Sequence, residues 1–170
     1  MNRILFFFVF LMTSFMVKAV EPNPVAELNV IVSMADSKRY LQTWVSTSPE
    51  TSVPIPRLNV LKPNQVGYAA FIVTGIEGDE VGNFKYSVSW KLIGPAGELV
   101  YEFLNYAKGE GKLHHKAAFY MADPALDIIL ENSDPSGNYK LEVTAVDQVS
   151  GRTALTSYNI EFKKSDDKAL

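Results

Sequence analysis

The sequence predicts an all-β protein, an antiparallel β-sandwich with a short helix near its N-terminus. Three observations carry that reading. From Tyr139 the chain alternates, with Tyr139, Leu141, Val143 and Ala145 on one face and Lys140, Glu142 and Thr144 on the other, the period of a half-buried strand. Asp147-Gln148-Val149-Ser150-Gly151 supplies turn chemistry, and the alternation resumes with Ala154, Thr156, Tyr158, Ile160 and Phe162 inward. Upstream, Gly94-Pro95-Ala96-Gly97 separates two further apolar runs and reads as a tight hairpin turn.

The 170 residues fit one domain behind a leader. Arg3 gives a positive start, and Ile4 to Val17 is an apolar run broken only by Thr13 and Ser14. Val17-Lys18-Ala19 suits cleavage, and Glu21-Pro22-Asn23-Pro24 cannot continue a helix. Residues 1–19 are therefore read as a signal peptide, cut after Ala19. The run is shorter than the ~20 residues of a membrane span, so no stable membrane anchor is expected after cleavage. The protein is then periplasmic or secreted. No cysteine is present, which excludes a cysteine-linked lipid anchor, thiolate nucleophiles, cysteine zinc sites and iron–sulfur clusters. Export permits disulfides without demanding them, and a core of this size can stand alone. Cleavage removes Arg3 and Lys18 from 16 basic residues facing 19 acidic ones, for a net charge of about −5. Nucleic acid is not an expected partner of such a chain.

Residues 20–56 are read as an N-terminal strand, a short helix and an extended connector. Leu28, Val30 and Val32 share one face of Ala26 to Met34. Asp36 is the expected N-cap of a helix on which Tyr40, Leu41, Trp44 and Val45 recur at helical spacing, with Trp44 packing it onto the sandwich. The sandwich proper spans residues 57–163. Arg57 to Leu61 opens it, and Gly67 to Ile76, apolar on both faces, is a central strand. Glu77 to Asn83 is an acidic loop, Phe84 to Ile93 carries Trp90, and Glu98 to Leu104 returns from the hairpin. Asn105 to Lys112, with Gly109 and Gly111, reads as a flexible loop before a strand from His114 to Met121. Residues 164–170 are expected to form a disordered tail.

Leu126-Asp127-Ile128, Asp134 and Gly137-Asn138-Tyr139 together resemble the strand, turn and strand of an immunoglobulin-like (Ig-like) β-sandwich. The resemblance covers the second half to two-thirds of the chain. It implies that Tyr139 forms a tyrosine corner and that Trp90 is the core tryptophan. Leu141 stands where antibody domains carry their second cysteine. The layout from the helical segment before Trp44 to the last strand also resembles secreted bacterial proteins of uncharacterised function, so it implies no activity.

The sequence contains neither a Gly-x-Ser-x-Gly elbow nor a His-Glu-x-x-His helix. Gly109-Glu110-Gly111-Lys112 lacks the spacing of a phosphate loop. His114 and His115 could hold copper or zinc together with thioethers, but strand neighbours point to opposite faces, and an ordinary strand start is favoured. Asp79, Glu80, Asp123, Asp127 and Asp134 lie near turns and are read as turn residues rather than calcium ligands. Tyr101, Phe103 and Tyr106 precede a basic stretch. Tyr101 and Phe103 are read as core, and Tyr106 as equally suited to core or contact.

The expected function is non-catalytic binding of a protein or cell-envelope component, with no cofactor and no metal. The contact surface is expected between Asn105 and Lys116, on Tyr106, Lys108, Lys112, His114, His115 and Lys116. Lysines would steer an acidic partner, and tyrosine offers a large amphipathic contact. Trp90, Tyr139 and Leu141 are expected to be structural. The alternatives are periplasmic copper or zinc handling and an envelope enzyme with an unrecognised site.

Overall fold

The computed structural model describes residues 26–47, 51, 54, 56–113 and 119–164. The expected signal peptide lies outside them, as do His114, His115, Lys116 and the tail beyond Lys164. The described chain runs β1 (Asn29–Ala35), α1 (Arg39–Ser46), β2 (Val60–Leu61), β3 (Val66–Thr74), β4 (Asn83–Ile93), β5 (Leu99–Lys112), β6 (Tyr120–Met121), β7 (Leu126–Ile129), β8 (Gly137–Asp147) and β9 (Thr153–Phe162). None of the described helices is long and apolar enough to cross a membrane.

Two sheets form. The larger has the order β2-β9-β8-β4-β5, antiparallel except for the parallel β2–β9 pair. In the smaller, β1 lies along one edge of β3, while β6 and β7 share the other edge, at Ile72–Val73 and Val66–Ala69. β4, β8 and β9 in one sheet facing β1, β3 and β7 in the other is the partition of an Ig-like sandwich, and β5 is the extra strand that variable-type domains add. Tyr139 confirms it. Its ring is buried, and its hydroxyl donates to the Pro135 carbonyl at 2.9 Å, closing the tyrosine corner. Leu141 is fully buried beside it, in register with Leu92 and Tyr158.

β1 buries Val30, Val32 and Met34 between the sheets, in the alternation its sequence announces. It pairs with β3 along its whole length, so the sandwich begins ahead of residue 57. Of the expected strand from Arg57 to Leu61, only Val60–Leu61 forms, with Arg57 making a single bridge to Met34. β3 is central, as its two apolar faces require. Beside it, α1 is tied to β1, where the Tyr40 hydroxyl donates to the Ser33 carbonyl at 3.1 Å. The helix starts two residues later than expected. Lys38 occupies the N-cap without a side-chain cap, and the Ser37 hydroxyl, not Asp36, accepts a bond from the Arg39 amide at 3.2 Å. Trp44 is half-buried on this helix.

Asp147 and Arg152 lock one end of the sandwich. The Asp147 carboxylate is fully buried and accepts the Glu77 amide at 2.9 Å, the Ser150 hydroxyl at 2.8 Å and the Val149 amide at 3.0 Å. Burial alone would raise its pKa, but these bonds outweigh burial and hold it below the usual carboxylate value. Arg152 donates to the Ala26 and Gly75 carbonyls and pairs with Glu77 at 3.0 Å. Three chain segments from both sheets meet on these two side chains.

Residues 105–112 are not a loop. They complete β5, whose 14 residues pair along β4 from Leu99 to Lys112. Gly109 is there because of space, since a Cβ would collide with the buried Tyr86 ring beneath it. The flexibility inferred from that glycine is a close approach instead.

Candidate functional site: a lateral cleft between two strand edges

β4 turns Trp90 and Leu92 toward the smaller sheet. Phe103 and Tyr101 of β5 stand in register with them, Trp90 opposite Phe103 and Leu92 opposite Tyr101. Paired residues share a face, so both β5 aromatics also point inward. No facing strand among the described residues covers them, because the smaller sheet stops at β7 while the larger continues to β5. Tyr101 is 60% exposed and Phe103 49% exposed. The expectation that both are core fails at this point, for a tertiary reason.

The result is a cleft of about 290 Å³ between β5 and β7. Trp90, Leu92, Leu126 and Ile128 form its floor, with Tyr101 on one wall. Its volume lies at the lower bound of small-molecule pockets, roughly 300 Å³, and suits a few side chains. One end is closed. There Lys108 and Asp123 exchange two backbone hydrogen bonds of 2.9 Å, and the Tyr106 hydroxyl donates to the Ala125 carbonyl at 3.1 Å. Burial first, then the Asp127 and Asp123 charges, raise the pKa of that hydroxyl. A bulge makes this closure possible. Between Phe103 and Ala107, β5 spends two residues more than β4, Asn105 takes φ 52°, and its amide donates to the Ser89 hydroxyl at 2.9 Å.

Trp90 is the hinge of the site. Its ring packs against Phe103 at 5.0 Å and against Tyr106 at 5.7 Å between centroids. It is only 6% exposed, yet its Nε1–H has no acceptor among the described residues. A buried donor without a partner costs about 1–3 kcal/mol. The rim is acidic. Asp127, Glu131 and Asp134 line the cleft with no Lys, Arg or His among the lining residues. Asp127 is paired with Lys38 at 3.0 Å, and Asp134 accepts the Glu131 amide at 2.7 Å.

Of the expected contact residues, Tyr106 is half-buried against the Trp90 ring, next to the cleft but not among its lining residues. Lys108 and Lys112 are exposed farther along β5, outside the cleft, so the three do not form one surface. The metal alternative rests on His114 and His115, which lie outside the described residues. Tyr101, Trp90 and the β7 residues were not read as lining a site. A pair of inward aromatics on an edge strand looks the same in sequence whether or not a facing strand covers it.

No protein-family model and no curated protein matches the chain. Among solved structures, it is similar to the CARDB domain of the PF1109 protein from Pyrococcus furiosus, which was solved with di-metal ions. That match has 12% identity, covers 81% of this chain and 88% of the domain, and has a TM-score of 0.38. A family 123 glycoside hydrolase from Clostridium perfringens matches at 10% identity over 80% of this chain, with a TM-score of 0.44. The sporulation control protein Spo0M from Bacillus subtilis matches at 10% identity over 82% of this chain, with a TM-score of 0.32. This chain spans 28% of the hydrolase and 50% of Spo0M. The Ig-like assignment rests on strand order and the tyrosine corner, not on these similarities.

Proposed function

We propose that the protein is an exported, non-catalytic binding module of the periplasm or cell envelope, and that it recognises a protein or envelope component through the cleft between β5 and β7. The observation that supports this most is the pair of inward-facing aromatics, Tyr101 and Phe103, left uncovered beside a buried tryptophan whose donor is unused. Rigid aromatic anchors around a desolvated pocket are what binding energy concentrates on. The signal-like leader supports the export half of the reading.

The test is retention from an envelope extract by the mature protein, with identification of what is held. The same extract is passed over Tyr101→Ser/Phe103→Ser. A discrete component held by the wild type and released by the variant is expected. Equal retention by both would move the site elsewhere. The mass of protein recovered from the envelope fraction should correspond to a chain starting near Val20, and a full-length chain in the inner membrane would overturn export.

A further inference from the structure

We infer that the cleft takes an extended polypeptide segment, which adds to β5 as a further strand and carries alternating apolar side chains with basic residues among them. This rests on the cleft being the binding site and specifies what enters it. β5 closes the larger sheet, and from Leu99 to Ala107 its outer edge has no strand beside it among the described residues. The free edge of β7 faces the same opening. A strand edge offers a row of unpaired N–H and C=O groups, and an extended chain satisfies them at a repeat of two residues. Beside β5, every second side chain of the incoming strand would enter the cleft over Trp90 and Ile128, and the others would face solvent. A volume of about 290 Å³ suits a few aliphatic side chains placed in this way.

Two further features select the chemistry. Tyr101 and Phe103, 60% and 49% exposed on the inward face of β5, are the cross-strand neighbours that apolar side chains of the added strand would meet. Lys38 already neutralises Asp127, but Glu131 and Asp134 also line the cleft and have no ion-pair partner among the described residues, so basic residues on the incoming segment are complementary. The closed end at Lys108–Asp123 sets where the added strand must stop.

The probe is a displayed library of random linear peptides selected on the mature protein, with enriched sequences resynthesised and titrated. Expected are peptides with period-two apolar residues and Lys or Arg between them. Their binding should fall about tenfold or more when amides on one edge are N-methylated, one lost hydrogen bond to β5 being worth about a decade, and should be unchanged when the opposite edge is methylated. Tyr101→Ser/Phe103→Ser should abolish binding. If that variant abolishes binding but N-methylation on either edge does nothing, the cleft remains the site and strand addition is overturned. If peptides bind the variant as they bind wild type, both readings fall; if none is enriched, the strand-addition inference is overturned while the retention test still decides the cleft. A dimer of the free protein that dissociates in the variant would assign the cleft to a second copy and overturn the inference.

Discussion

The two sides of this sandwich end in opposite ways. On one side, a single short segment seals both sheets. The Leu58 amide donates to the Met34 carbonyl of β1, and β2 then runs parallel to the end of β9, where the Lys163 amide reaches the Leu61 carbonyl. The Tyr158 hydroxyl bonds the same segment at Leu58 and Asn59. Met34, Leu61 and Phe162, which face inward here, are at most 1% exposed. On the other side, the Lys108–Asp123 bridge and the adjacent Tyr106–Ala125 hydrogen bond join the sheets at one corner. Tyr101 and Phe103 also face inward, yet about half of each is exposed. The same alternation thus makes a core on one side and a surface on the other, and what decides is whether a crossing segment covers it.

That contrast can be broken from the largest effect downward. Trp90→Ala removes the ring that joins the core to the cleft, and should cost about 3–5 kcal/mol in urea unfolding. A near-neutral result would mean that the floor is not packed as described. Asp147→Ala, at the end locked with Arg152, should cost about 3 kcal/mol by leaving buried partners unpaired. Its carboxyl is held below its ordinary value when folded, so it contributes stability above about pH 4, the unfolded value, and loses it as pH falls through the lower folded value. Wild type should therefore lose more stability than Asp147→Ala over that acid range. Parallel acid titrations would contradict the assignment.

Tyr139→Phe should cost about 1.5 kcal/mol, since the Pro135 carbonyl loses its donor while the packing stays. Tyr101→Ser/Phe103→Ser should cost less, about 1 kcal/mol, because both rings are already half in water. Its large effect should be on partner retention. Leu155→Ser, on the exposed face of β9, serves as the control. It should change stability by less than about 0.5 kcal/mol and leave retention intact.

Much of the fold was legible because period-two alternation and turn residues act locally. Tyr139 with Gly137 and Asp134 predicted a corner that the hydroxyl bond completes, and the alternation in β8 and β9 matches their buried faces. β5 was legible only in part. Gly109 reads as a flexible hinge until Tyr86 is placed under it, and Asn105 at positive φ marks a bulge whose consequence, the closed corner, depends on Asp123 across the sandwich. The site was the least legible. Tyr106 stands out in the sequence for its aromatic ring and basic neighbours, and it packs on Trp90 without lining the cleft. Tyr101 and Phe103 passed for core because coverage by another sheet is a property of the whole topology, not of any window of sequence.

The most direct test of the central claim is amide hydrogen exchange on the mature protein, free and with the component it retains from envelope extract. The account predicts new protection on β5 between Leu99 and Ala107 and on β7, with β9 and its Leu155 face unchanged. Protection on β9, or at the sealed side around Leu58 to Leu61, with none on β5 and β7 would contradict it.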